Sequence, residues 1–203
     1  QSVGGDLYDY FDVDSETLGF AVADASGHGL PAALQARDVA TGLRMGVERD
    51  LKITRMVERL NRVIHQSGLT SRFISLFFGE LERNGNLSYI NAGHPPPLLL
   101  DSRGARELSV GGMLLGPDLG ATYKMGFVHV DRGAALVAYS DGVIEREDGK
   151  GEIFGLDRLR DWLQESANTP SEDAVAELLH RLAEFGGGTA FEDDVTILMV
   201  RRT

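Results

Sequence analysis

Four aspartate positions carry the chemistry this sequence can offer. Asp6 follows Gly4-Gly5, and Asp24 closes the apolar run Phe20 to Ala23. Asp141 comes just after Ala135 to Tyr139 and before Gly142, and Asp193-Asp194 precedes the apolar run Val195 to Val200. Each alone reads equally well as a turn aspartate bonding its own backbone, with Asp24 or Ser26 as a helix cap. Together, in a chain with no cysteine and five histidines, they read as one shared site. A lone buried carboxylate is costly unless it is paired or metal-bound. Oxygen-only donors select hard cations, Mg²⁺ or Mn²⁺, over zinc or copper. Two such ions roughly 3.5–4 Å apart can share a carboxylate and activate a water for attack on phosphorus. That chemistry needs neither a nucleophilic side chain nor a histidine base.

The composition narrows the alternatives. The 203 residues are ample for a continuous core, and 42% hydrophobic with 25% charged residues is ordinary for a globular protein. The absence of cysteine rules out disulfides, thiolate metal sites and cysteine nucleophiles, and it suits a reducing, cytoplasmic compartment. A formal charge of -11 disfavours nucleic acid and an anionic membrane surface as partners. No apolar run approaches the ~20 residues of a membrane span, and no signal-peptide pattern opens the chain. Only Gln1-Ser2-Val3 precede the first motif. A single domain over residues 1–203 is therefore expected, cut from a longer protein with an upstream sensor or regulatory region, and that longer protein is free to be membrane-tethered.

The elements that must position these aspartates follow from pattern. Val3 to Phe11 and Thr17 to Ala23 read as strands, the first turned by Asp12 to Ser15. A helix follows from about Pro31 to Val47. A second carries Ile53, Met56, Val57, Leu60, Val63 and Ile64 as a one-face stripe and stops at Ser67-Gly68. Strand texture resumes from Arg72. Phe73 to Leu81 and Leu87 to Ile90 form a hairpin about Asn84-Gly85, and Asn91 to Pro97 interrupts before Leu98 to Leu100. Gly104 and the Gly111 to Pro117 region read as turns, then Tyr123 to Val130 and Ala134 to Tyr139 as strands. A helix carries Leu156, Leu159, Trp162 and Leu163. Another starts at Thr169-Pro170-Ser171-Glu172 as a capping box and is stopped by Gly186 to Gly188. The continuous apolar run Val195 to Val200 reads as a central strand buried on both faces. Hairpins with paired helices among them make the fold class α+β.

Five segments occur in one order: Gly4-Gly5-Asp6-Leu7-Tyr8-Asp9, Asp24-Ala25-Ser26-Gly27-His28-Gly29, Asn91-Ala92-Gly93-His94-Pro95-Pro96, Ser140-Asp141-Gly142, and Glu192-Asp193-Asp194-Val195-Thr196. Across essentially the whole chain this resembles the bacterial branch of the metal-dependent protein phosphatases, the PPM or protein phosphatase 2C-like family of the RsbU/SpoIIE type. The resemblance implies a four-layer α-β-β-α sandwich of two antiparallel sheets flanked by helices, and a centre of two Mn²⁺ or Mg²⁺ ions. It makes Asp6 and Asp24 carboxylate ligands, with Asp24 bridging, and the Ala25 backbone carbonyl a further ligand. Asp141 and Asp193 complete the second ion's shell. Asp194 ranks below Asp193, because related phosphatases often carry Asn there, and Asp9 is expected to support the ligands or the structure. The implied activity is hydrolysis of phosphoserine or phosphothreonine, by resemblance on a STAS-type anti-sigma-factor antagonist in partner-switching signalling. Eukaryotic members grip the phosphate with an early arginine, and nothing before Arg37 serves here.

His28 is a candidate proton donor to the leaving oxygen, with a capping or packing residue at the helix start as the alternative. His94 and Asn91 are candidates on the substrate side, with His94 as the hydrogen-bonding frame of its proline-rich loop as the alternative. The helices over 31–67 follow the Asp24 turn directly, which makes them a candidate switch or homodimer surface and equally plain core helices. Gly4-Gly5-Asp6 superficially resembles the diguanylate cyclase signature, but Leu-Tyr follows instead of Glu-Phe. The rival reading is a catalytically weak metal- or partner-binding module of the same fold. Cyclase or phosphodiesterase chemistry would call for nucleotide-recognition features that the chain lacks.

Overall fold

The computed structural model describes residues 4–49, 51–67 and 73–203. The expected strand start at Val3, the helix stop at Gly68 and the strand texture from Arg72 lie outside the described residues. The chain divides into two compact units, Gln1–Pro96 with Leu108–His129, and Pro97–Glu107 with Val130–Thr203.

The first unit is built on a six-stranded sheet. Its strands are β1 (Asp6–Asp12), β2 (Thr17–Ala25), β3 (Ile74–Glu82), β4 (Asn86–Ala92), β7 (Gly111–Gly112) and β8 (Gly126–His129). The order is β1-β2-β3-β4-β7, with β8 also pairing β4, and every pair is antiparallel except β4 with β7. Two helices, α1 (Leu30–Glu48) and α2 (Ile53–Gln66), follow β2. Alternation along β2 sends Ala21, Ala23 and Ala25 to one face, and these small side chains let Val39 and Leu43 of α1 close down on the sheet. The α2 stripe Ile53, Met56, Val57, Leu60 and Ile64 joins the same core. Val63, counted in the stripe by spacing, is 55% exposed.

The second unit carries a four-stranded antiparallel sheet in the order β10 (Ile197–Arg201), β9 (Ala135–Tyr139), β5 (Leu98–Asp101), β6 (Gly104–Glu107). Helices α4 (Gly155–Glu165) and α5 (Ser171–Phe185) bring Leu159, Trp162, Leu163, Ala174, Leu178 and Leu182 onto Val137 and Tyr139. A single helical turn, α3 (Asp141–Ile144), follows β9 directly. The architecture is α+β, with sheets and helices in each unit. Among the described residues no helix is long and apolar enough to cross a membrane.

Several local expectations need correction. The strand β4 continues through Asn91 and Ala92, where an interruption was expected. The partner is remote: Asn91 and Ala92 pair in parallel with Gly111 and Gly112, read from sequence as a turn. A Cβ on Gly111 would lie 1.8 Å from the Asn91 carbonyl oxygen, so only glycine permits the approach. The last strand stands at the end of its sheet's order, and all five of its residues are only partly buried. A run of apolar residues marks contact with a core but not the number of strand neighbours. The capping box at Thr169 does not form. The Thr169 N–H donates to the Ser166 carbonyl, ending α4, and α5 starts after Pro170 with no side-chain cap.

Candidate functional site

In the first unit, β1 and β2 pair so that Asp6 stands directly opposite Asp24. Opposed residues on one sheet face hold their Cβ atoms roughly 4.5–5.5 Å apart, and like charges there are unfavourable. The sequence accepts that repulsion at the strand end where the backbone also presents an oxygen. Gly5 lies so close that a Cβ on it would sit 2.6 Å from the Ala25 carbonyl oxygen and 3.4 Å from Asp24 Oδ1. The Ala25 N–H donates to the Gly5 carbonyl at 3.2 Å, which carries the β1–β2 pairing one step beyond Asp6 and Asp24. Two carboxylates and a backbone carbonyl are thus gathered around a glycine. This all-oxygen set fits a hard cation that keeps part of its water shell.

The other side of Asp24 is also defined. Ser75 on β3 is its register partner, and the Ser75 hydroxyl hydrogen-bonds to His94 Nδ1 at 2.7 Å. His94 is only 3% exposed. Asn91 Nδ2 donates to the His94 carbonyl at 2.9 Å, and the His94 N–H donates back to Asn91 Oδ1 at 2.8 Å. Asn91 and His94 are therefore both buried and spend these hydrogen bonds on the turn itself. Ser75 was missed from sequence, although a lone hydroxyl inside the apolar run Phe73 to Phe78 was a usable signal.

In the second unit, Ser140 ties the β9 end to the last segment. Its N–H donates to the Thr196 carbonyl at 3.0 Å, its Oγ donates to the Asp194 carbonyl at 3.2 Å, and the Thr196 N–H donates to that Oγ at 2.9 Å. Gly142 completes the contact, because a Cβ there would fall 2.2 Å from the Asp194 carbonyl oxygen. Asp141 and Asp193 are thereby held near enough to interact. Burial first, and then the charge of Asp193, push the Asp141 carboxyl above the ordinary carboxylate range, against backbone N–H groups that pull it down. Asp193 is exposed and accepts from the Asp194 N–H at 2.8 Å. Asp194 is partly buried, and its carbonyl rather than its carboxylate meets Ser140 and Gly142.

His28 lies in the exposed loop between β2 and α1. Ser26 in that loop pairs with Phe73, its N–H donating to the Phe73 carbonyl and its Oγ accepting the Phe73 N–H, each at 2.9 Å. Gly27 and Gly29 hold the left-handed φ values of 93° and 77° that let the chain pass from strand to helix. Within the first unit Asp6, Asp24 and Ala25 come together, and within the second Asp141 and Asp193. Among the described residues, no group of three or more His, Cys, Asp or Glu side chains forms a ready metal cage.

Comparison with known proteins adds three findings. The family model for stage II sporulation protein E, SpoIIE, matches residues 14–203. The chain is 28% identical to protein IcfG of Synechocystis over 235 residues and 27% identical to the phosphoserine phosphatase RsbU of Bacillus subtilis over 208 residues. Both alignments take in 100% of this chain, but it spans only 36% and 60% of those relatives' lengths. A crystal structure of RsbU and RsbW domains from Mycobacterium tuberculosis superposes with a TM-score of 0.83 at 28% identity, covering 100% of this chain and 56% of that one.

Proposed function

Because the chain belongs to the SpoIIE family, the RsbU/SpoIIE type of PPM phosphatases, we propose that it is a metal-dependent protein serine/threonine phosphatase working with two Mn²⁺ or Mg²⁺ ions. The observation that carries the reading is the Asp6–Asp24 pair opposed across β1 and β2, with the Ala25 carbonyl beside it. Within the first unit Asp6, Asp24 and the Ala25 carbonyl would hold one ion, and within the second Asp141 with Asp193 would hold another. Asp194 assists Asp193 through the backbone of its segment. The bound ions supply a water made nucleophilic at neutral pH and an offset to the phosphate charge.

The chain's own residues do the rest. Gly5 keeps the Ala25 carbonyl free of side-chain crowding, and the Ser75–His94–Asn91 network holds the β3 neighbour of Asp24 in place. Exposed His28 donates a proton to the departing serine or threonine oxygen. The substrate is a phosphorylated protein, a STAS-type anti-sigma-factor antagonist. Support for that pathway is the RsbU relative and the solved chain that joins RsbU to RsbW. The domain works in the cytoplasm as part of a longer protein, membrane-tethered or not, with a regulatory region upstream; the relatives' greater length supports the longer chain. A homodimer surface lies on the 31–67 helices, where Met45 and Val63 are exposed beside a groove of about 190 Å³.

The deciding experiment is Mn²⁺-dependent hydrolysis of p-nitrophenyl phosphate and of a phosphorylated STAS protein by wild type, Asp24→Asn and Asp141→Asn. Activity confined to wild type supports the assignment, and equal activity in all three removes it. A second reading is a catalytically weak metal- or partner-binding signalling module of the same fold. Turnover separates the two, since both readings allow Mn²⁺ binding and only the enzyme reading requires Mn²⁺-dependent hydrolysis that Asp24→Asn abolishes.

A further inference from the structure

Arg146, two residues beyond α3, is only 4% exposed, which is rare for arginine unless its charge has work to do. Its guanidinium reaches across to the loop that leads into the last strand. Nη1 donates to the Ala190 carbonyl at 2.7 Å, and Nη2 donates to the Thr189 carbonyl at 2.8 Å and to Thr189 Oγ1 at 2.7 Å. The guanidinium carbon stands 4.8 Å from the centre of the Phe191 ring. Gly186 makes room for it, since a Cβ there would lie 1.8 Å from Nη2. Behind the guanidinium, the Arg146 carbonyl accepts the Phe154 N–H at 2.8 Å, so the lever itself is anchored.

The two chain segments joined in this way are the ones that carry Asp141 and Asp193. Asp141 lies five residues before Arg146, through one helical turn, and Asp193 lies two residues after Phe191. Arg146, Phe191, Gly142 and Asp193 line one cavity of about 330 Å³. The geometry points to Arg146 as a positioning residue that sets the separation of Asp141 and Asp193 and so the affinity of that pair for its cation. This rests on the metal reading of Asp141 and Asp193 above. Arginine suits the role because its rigid fork holds two successive carbonyls at once, which a lysine ammonium cannot reproduce.

The test is calorimetric Mn²⁺ affinity, measured beside the metal-free thermal midpoint, for wild type, Arg146→Lys, Thr189→Val and Asp193→Asn. Thr189→Val removes one acceptor and leaves the arginine in place, so it reports even where changes at 146 prevent folding. The expected result is a loss of about tenfold in Mn²⁺ affinity for Arg146→Lys, in line with residues that orient metal ligands. Thr189→Val gives a smaller loss in the same direction, and neither loss tracks the change in midpoint. Weakened binding in Asp193→Asn with wild-type affinity in the other two variants overturns the positioning role alone. Wild-type affinity in Asp193→Asn overturns the metal reading and this inference with it.

Discussion

Arg44 on α1 closes a two-pronged ion pair on Asp9 of β1, with Nε to Oδ2 at 2.9 Å and Nη2 to Oδ1 at 2.7 Å. The helix that follows the Asp24 turn is thereby clamped to the strand that carries Asp6. The arginine side chain is 60% exposed, so solvent screens most of the attraction. Arg44→Ala and Asp9→Asn should each lower the thermal midpoint slightly, and the double variant should fall no further than either single one. The difference from wild type should shrink in high salt. Thermal melts at two ionic strengths check this, and full additivity would show that the pair is not coupled.

Gly5→Ala should act on the site through one methyl group. The new Cβ meets the Ala25 carbonyl oxygen at 2.6 Å, backbone that has no side-chain freedom with which to yield. The strand end must shift, at a cost of roughly 1–3 kcal/mol in stability. Mn²⁺ affinity and phosphatase activity should fall together. Gly104→Ala, in the second unit with open space around its Cβ but a φ of 105°, serves as the comparison: it loses stability without loss of metal affinity.

Asp141→Asn should separate stability from activity. Burial and Asp193 raise the Asp141 carboxyl in the folded chain. The folded form therefore favours the protonated acid. Its contribution is fully present below the unfolded carboxylate value of about 3.9, and is lost as pH rises through the raised folded value. At neutral pH the charged carboxylate is a cost to the metal-free fold. The metal-free amide variant should melt a few degrees higher than wild type at pH 7 and no higher at pH 3, while its Mn²⁺-dependent activity is lost. A lower midpoint at neutral pH would falsify this account.

Asp24→Asn should reduce Mn²⁺-dependent turnover on the order of a hundredfold or more, equivalent to about 2.7 kcal/mol of transition-state stabilisation. The amide is nearly isosteric, so the circular dichroism spectrum should not change. Initial rates across a Mn²⁺ titration distinguish weakened binding, which excess metal restores, from lost chemistry, which it does not.

Alkaline titration should show two late tyrosines. Burial pushes Tyr123 and Tyr139 up to about 12, with nearby Asp118 adding to the first and Glu107 to the second. The buried neutral phenols contribute stability that is complete below pH 10 and is lost as pH rises toward 12. Phenolate absorbance from these two should appear together with unfolding. Tyr123→Phe and Tyr139→Phe should each move that transition to higher pH.

How far the chain could be read in advance depended on whether the cause was local. Asn84-Gly85 makes the hairpin turn through its own backbone, and the spacing of Ile53, Met56, Val57, Leu60 and Ile64 makes a helix face by period alone. Residue types likewise narrowed the chemistry, because without cysteine a metal site here draws on oxygen and imidazole donors, chiefly the aspartates. The order of the five motifs named the family before any element was paired.

Relations between distant strands were decided only by folding. The opposition of Asp6 and Asp24 is a register, and a one-residue slip would send the two carboxylates to different faces. Gly111 against Asn91, Ser75 beside Asp24 and β10 at the end of its sheet share that cause, since a strand's alternation says which face is buried but not who its neighbour is. Arg146 shows the same limit for a side chain. In sequence it is one charge in the run Glu145 to Asp148, and only the arrival of Thr189 and Ala190 from more than forty residues away turns it into a buried clamp. Sequence alone thus determined which oxygen-bearing residues were on offer and the local elements. The tertiary structure decided which donors face one another and what holds them there, because hydrogen-bonded pairing and burial join residues whose separation along the chain carries no local signal.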